Sequence, residues 1–220
     1  MREEDREAFR RAVSAATGVE VIEPFKFSRH ATDAVSQLIA EVLREVGLTF
    51  RSVGGLGPID AMRLEGFVRR LGTDDRLRID GQEYVVEYDE RLHFTGFRGV
   101  TLTSPLYERL RLGFSPSAYA SVCGTFRMTG SSGRAHNKSA HKNFRCPTSP
   151  GECRHRQRAF YDFLKDVLLG LRLKNLPALI RVSHVTDVVG SRSLRDILDS
   201  APLDGELLAN HLREKISGQH

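Results

Sequence analysis

Two alternating runs, Asp74 to Ile79 and Gln82 to Asp89, meet at Asp80-Gly81. Asp-Gly is favoured in the two-residue type I′ turn, whose twist matches that of paired strands. This junction constrains the fold more than any other segment, because so short a turn sets the register of both arms. Ile79 then faces Gln82, and Glu87 falls opposite Asp74. Asp80 is nearer to Glu87 in sequence, but it lies about seven residues, roughly 20 Å, along the strand. Side chains alternate, so Asp74, Glu87 and Asp89 share one face of the hairpin.

The elements around the hairpin predict a single α/β domain spanning residues 1–220. Residues 3–17 read as a helix ended by Gly18, and Thr32 to Val46 as a second, with Val35, Leu38, Ile39, Val42, Leu43 and Val46 on one face and Gly47 as its stop. TFRSVGGLGP reads as a short strand entering a glycine-rich loop. Met62, Leu64, Gly66 and Val68 alternate as in a strand, although Ile59, Met62 and Phe67 also suit a helix; the strand is preferred. Arg156 to Arg172 carries Phe160, Phe163, Leu164, Val167, Leu168 and Leu171 at regular helical spacing. ALIRV after Pro177 suits a buried parallel strand. Helices at about 192–199 and 205–217 complete the chain. The expected architecture is a mixed central sheet flanked by helices, with a core at 31–93 and 156–183 and a long insertion at 94–153.

Three carboxylates on one face repel one another unless a positive charge sits among them. Hard divalent cations accept carboxylate oxygens and stabilise charge on a phosphoryl group. Asp74, Glu87 and Asp89 are therefore candidate ligands for Mg²⁺ or Mn²⁺, with His93 as a candidate proton carrier. The competing interpretation is a solvated strand end, with His93 capping the next helix.

The net charge of +5 is unevenly spread. Between Arg134 and Arg158 there are seven Lys or Arg residues and one acid, Glu152. Such a stretch suits a phosphate backbone, although charge runs are also common on solvated loops. Lys138, Lys142, Arg154 and Arg158 are the candidate contacts within it. Gln157, Tyr161 and Lys165 continue one side of the same helix, and Arg98 is a further candidate one turn beyond His93. Three cysteines do not make a disulfide framework and are expected to be reduced. Cys146 and Cys153 are too widely spaced for the usual zinc pair, so structural Zn²⁺ is the lesser option for the Cys/His-rich segment. The charged start, MREEDREAFRR, and the lack of a long apolar run point to the cytoplasm.

A helix carrying a Glu, Asp74 and Glu87-x-Asp89 across a hairpin, then a helix and a buried strand, resembles the PD-(D/E)XK restriction-endonuclease-like core. Glu87, Asp89 and His93 together resemble the branch related to very-short-patch-repair endonucleases. The resemblance covers about 31–93 and 156–183. It implies an αβββαβ core and Mg²⁺-dependent hydrolysis of DNA. Asp74 and Glu87 would match the family's two acids and Glu41 its helix glutamate, with Gln37 or Asp33 as alternatives to Glu41 and Asp75 or Glu65 as alternatives to Asp74. The family's lysine position holds Asp89, leaving Lys165, Arg91 or His93 to supply that group. A non-catalytic nucleic-acid-binding module and a partner-binding protein are the rival readings. A homodimer is compatible with all three.

Overall fold

The computed structural model describes residues 7, 10, 11, 14, 19–79, 81–125, 142–145, 150–189, 192–198 and 205–217. Strand β1 (Glu20–Ile22) is followed by helices α1 (Ala31–Ser36), α2 (Ala40–Ser52) and α3 (Ala61–Val68). The hairpin of β2 (Asp75–Ile79) and β3 (Gln82–Asp89) comes next, then a 3₁₀ turn at Arg91–His93. Helices α4 (Gly96–Leu102) and α5 (Pro116–Val122) precede the long α6 (Pro150–Gly170) and strand β4 (Ala178–Ser183). A short ribbon of β5 (Val188–Val189) and β6 (Arg192–Ser193) leads into α7 (Leu194–Leu198) and α8 (Gly205–Ser217).

The main sheet runs β1-β2-β3-β4, with antiparallel pairs up to β3 and β4 parallel to β3. The mixed, helix-flanked sheet is thus present. Ile79 pairs with Gln82 and Asp75 with Val86, the register expected from the turn. Gly81 has φ +78°, a value that glycine adopts without steric cost.

Alternation along β3 and β4 separates two apolar layers. Val85 and Leu179 join the larger cluster with α1, α2, α3 and α6. Val86, Tyr88, Ile180 and Val182 face the other way, against Leu194, Ile197, Leu208 and Leu212 of α7 and α8. Glu87, Asp89 and Arg181 therefore project toward α6, with which each face-mate of Val85 or Leu179 is aligned. Among the described residues, no helix is long and apolar enough to cross a membrane.

Several expected elements differ. Residues 61–68 are helical: Asp60 Oδ1 accepts from the Arg63 N–H at 2.7 Å as an N-cap, and Leu64, Phe67 and Val68 are buried. Met62, which a strand would have turned inward with Leu64, is 79 % exposed. The expected helix over Thr32–Val46 is two helices, interrupted where the Gln37 side chain turns to Lys174 and accepts its backbone N–H at 2.8 Å. Gly47 does not end α2, which continues through the expected strand at Thr49–Ser52. Phe50 explains the continuation: it is fully buried against Phe67, Phe144 and Phe160, and that burial outweighs the ~1 kcal/mol helix penalty of one glycine. The strand that completes the antiparallel trio is β1, outside the core expected at 31–93. The insertion expected at 94–153 contributes α4, α5 and the first turn of α6.

Phe160 is the point where the aromatic cluster meets α6. Phe160→Ala is expected to lower unfolding stability by about 3–5 kcal/mol. Met62→Ala should change it by no more than about 0.5 kcal/mol. Urea unfolding of both variants checks the helical facing of 61–68 together with the cluster.

Candidate active site

A cleft of about 810 Å³ opens where the hairpin end meets α6. Asp74 and Glu87 enter it from the hairpin, and His93 from the 3₁₀ turn. Arg154, Arg158, Asp162 and Lys165 enter from one stripe of α6, at steps of four, four and three residues. That spacing keeps side chains on one helical face. Gln157, Tyr161 and Lys142 also line the wall.

Asp74 is held by the hairpin itself, its Oδ2 accepting from the Tyr88 N–H at 2.9 Å. Glu87 is buried, and its Oε2 accepts from Lys165 Nζ at 2.5 Å. Its Oε1 is also buried and has no hydrogen-bond partner among the described residues. Burial raises the Glu87 pKa to about 7, Lys165 opposes that rise, and the charge on Asp74 adds to it. Burial alone would depress the Lys165 pKa, but Glu87 and Asp162 reverse this and hold the ammonium charged above its usual range.

Behind this pair lies a second set of charges. Arg181 of β4 is fully buried and donates through Nη1 to both Asp89 oxygens, at 2.8 and 3.0 Å. Its Nε donates to Asp166 Oδ1 at 2.7 Å and its Nη2 to the Asp162 carbonyl at 3.2 Å. The other Asp166 oxygen accepts from Arg98 at 2.5 Å and from the Tyr107 hydroxyl at 2.6 Å. His93 Nδ1 lies 2.9 Å from Asp162 Oδ2 and 3.2 Å from Asp89 Oδ1. Burial disfavours its cationic form, but the two carboxylates prevail and raise its pKa.

The structure brings together only part of the expected set. Asp74, Glu87, His93, Lys165, Lys142, Arg154 and Arg158 share the cleft. Asp89 points the same way as Glu87 but is taken up by Arg181, so it is not a third ligand beside Asp74 and Glu87. Glu41 stands on α2 with its side chain 58 % exposed, paired with Arg109 at 3.1 Å and outside the cleft lining. Arg98 is buried against Asp166 and cannot reach a nucleic-acid backbone. The alternatives are also occupied elsewhere: Gln37 by Lys174, Glu65 by Thr32 and Arg69, and Asp75 by Arg10. Lys138 lies outside the described residues, as does Cys146 of the Cys/His-rich segment.

Cys153 is disulfide-bonded, which corrects the expectation of three reduced thiols and removes it as a zinc ligand. Cys123 is free, and burial pushes its thiol up to about 11. Among the described residues, no group of three or more His, Cys, Asp or Glu is arranged to hold a metal ion. Of the three expected ligands, Asp74 and Glu87 remain in the cleft, and Glu87 Oε1 is without a hydrogen-bond partner among the described residues. That donor set suits a hard cation completed by water and substrate phosphate.

Asp162 and Arg181 were missed by sequence reasoning. Asp162 had a signal, since it falls between Arg158 and Lys165 on their helical face. Arg181 had another: a lone charge inside the apolar run ALIRV must find buried counter-charges.

Residues 57–200 match the model of a family of unknown function (DUF7255), and the chain belongs to that family. No curated protein and no solved structure matches it.

The raised pKa of Glu87 has a thermodynamic consequence. The folded chain holds this proton to about pH 7 and the unfolded chain only to about 4.5. The group's favourable contribution is therefore complete below about 4.5 and is lost as pH rises through 7. Wild type should lose about 2–3 kcal/mol more stability than Glu87→Gln between pH 5 and 8. Urea unfolding of both proteins at the two pH values, without divalent ions, measures the difference.

Proposed function

We propose that this protein is a metal-dependent nuclease that hydrolyses DNA phosphodiester bonds. The observation that carries the reading is the convergence of Asp74, Glu87 and Lys165 on one cleft rimmed by Arg154, Arg158 and Lys142. Two carboxylates facing each other across a hairpin, with a lysine beside them, are the groups that the PD-(D/E)XK resemblance requires. Lys165 reaches from α6 the neighbourhood that Asp89 does not serve. The antiparallel β1–β2–β3 followed by α6 and the parallel β4 also supports a restriction-endonuclease-like core. The arrangement departs from that core in placing α1, α2 and α3 between β1 and β2.

Asp74 and Glu87 would hold Mg²⁺ or Mn²⁺, which supplies Lewis-acid stabilisation of charge on the phosphoryl oxygens. Asp74 is oriented by the Tyr88 N–H, and Glu87 offers its unpartnered oxygen. Lys165 brings a fixed positive charge to the same point, where it favours the anionic transition state over the ground state. Arg154, Arg158 and Lys142 attract and align the backbone, contributing affinity without reading sequence. A non-catalytic nucleic-acid-binding module would use the same rim, but it leaves the buried Glu87–Lys165 pair and its open oxygen without a role.

Plasmid and single-stranded DNA should be cleaved in Mg²⁺ or Mn²⁺, and EDTA should stop the reaction reversibly. Asp74→Asn and Lys165→Met should each reduce the rate by at least about 10²-fold, whereas Glu41→Ala should not change it. Binding without cleavage under either metal would favour the non-catalytic module, and neither binding nor cleavage a partner-binding protein. Arg154→Ala and Arg158→Ala should each weaken DNA binding across sequences and reduce its salt slope by about 1. Fluorescence anisotropy at several salt concentrations reads that slope.

A further inference from the structure

His93 is built into the cleft differently from Lys165. Its Nδ1 faces two carboxylates, Asp162 at 2.9 Å and Asp89 at 3.2 Å. Nδ1 therefore carries a proton, and the ring is fixed in orientation. Nε2 makes no hydrogen bond among the described residues, and the side chain lines the cleft. Asp162 is three residues, about 4.5 Å along the helix axis, from Lys165, and four residues, about 6 Å, from Arg158. The order along α6 is thus phosphate-binding arginines, then the His93 support, then Lys165 beside Glu87. In-line displacement at phosphorus needs an entering oxygen on one side and a leaving oxygen on the other. Asp162, which holds His93, and Lys165, which holds Glu87, are about one helical turn apart on α6, a spacing that lets His93 and the Glu87–Lys165 pair serve those two sides.

Resting on the nuclease reading, we propose that His93, oriented by Asp162 and Asp89, is the general acid that protonates the leaving nucleoside oxygen. Water forms a new bond to phosphorus, and the bond to the leaving oxygen breaks with its electron pair. That oxygen takes the Nε2 proton and departs as an alcohol. The proton shed by the water passes to solvent, and neutral His93 regains its own from solvent. The groups facing His93 are Asp162 and Asp89, which favour its cation, and Glu90, which does so more remotely; Arg158 opposes them. Arg181 and Lys165 stand behind these carboxylates, both favouring the Asp162 anion and Arg181 also donating to Asp89. The acid form consequently persists above the usual histidine range.

The test compares two substrates that differ in their need for a general acid. An oligonucleotide has an alkoxide leaving group, whereas the p-nitrophenyl ester of thymidine monophosphate releases a phenolate that leaves unprotonated. His93→Asn keeps an N–H for Asp162 while removing the acid. It should lower oligonucleotide cleavage by about 10²-fold or more and change ester hydrolysis by only a few fold. Lys165→Met should slow both. In wild type, the oligonucleotide rate should fall as pH rises through the His93 titration, with no matching fall for the ester. This wild-type comparison stands even where His93→Asn does not fold. Equal losses on both substrates, no loss on either, or identical wild-type pH profiles would overturn the assignment while leaving the nuclease reading intact. Failure of wild type to cleave either substrate with Mg²⁺ or Mn²⁺ would sink both.

Discussion

A fully buried guanidinium at the centre of β4 organises the molecule. Removing Arg181 from water costs several kcal/mol, and only close, well-directed counter-charges offset that cost. Asp89 supplies two contacts from β3, and Asp166 with the Asp162 carbonyl supplies two more from α6. The rotation of α6 about its own axis is thereby set against the sheet. With that rotation fixed, Arg154, Arg158, Asp162 and Lys165 have one direction to face. Asp166 extends the same network through Arg98 to α4 and through Tyr107 to the segment beyond it.

The charges separate into two layers with different roles. In the rear layer, Asp89, Asp162 and Asp166 meet Arg98, Arg181 and the cation of His93, and the carboxylates are largely satisfied. In the front layer, Glu87 accepts from Lys165, Asp74 accepts from the Tyr88 N–H, and Glu87 Oε1 has no hydrogen-bond partner among the described residues. The rear layer gives rigidity and the front layer retains unspent binding capacity. His93 is the residue common to both, its Nδ1 in the rear layer and its other edge at the cleft. An aspartate at position 89 is intelligible in these terms: it faces inward to an arginine, while the lysine charge arrives from the helix.

Local geometry made some of this legible in the sequence. The turn at Gly81 fixed the register from Ile79–Gln82 to Asp75–Val86, which brings Asp74 to the Glu87 end of the hairpin, because register propagates from a two-residue loop without further information. The helix around Phe160 to Leu171 and the strand at ALIRV were equally plain, since each follows one periodicity. Residues 61–68 were not, because their apolar positions satisfy both periods; the N-cap at Asp60 was a local cue that the preference for a strand left unused. The roles of Asp89 and Arg98 depended on partners 92 and 68 residues away, which no local pattern encodes. Glu41 failed for the same reason: its place on the helix was readable, but the direction that helix faces was set by tertiary packing.

The dependence on Arg181 also imposes an order in time. During synthesis the acids at 89, 162 and 166 all leave the ribosome before their shared counter-ion does. Until β4 is made, Arg98 can already meet Asp166 and His93 can meet Asp162, but the guanidinium that ties Asp89 of the hairpin to Asp166 of the helix is missing. The alignment of the cleft therefore waits on residue 181 taking its place beside β3. A chain interrupted before that point would carry every residue of the front layer yet lack the alignment that brings them together.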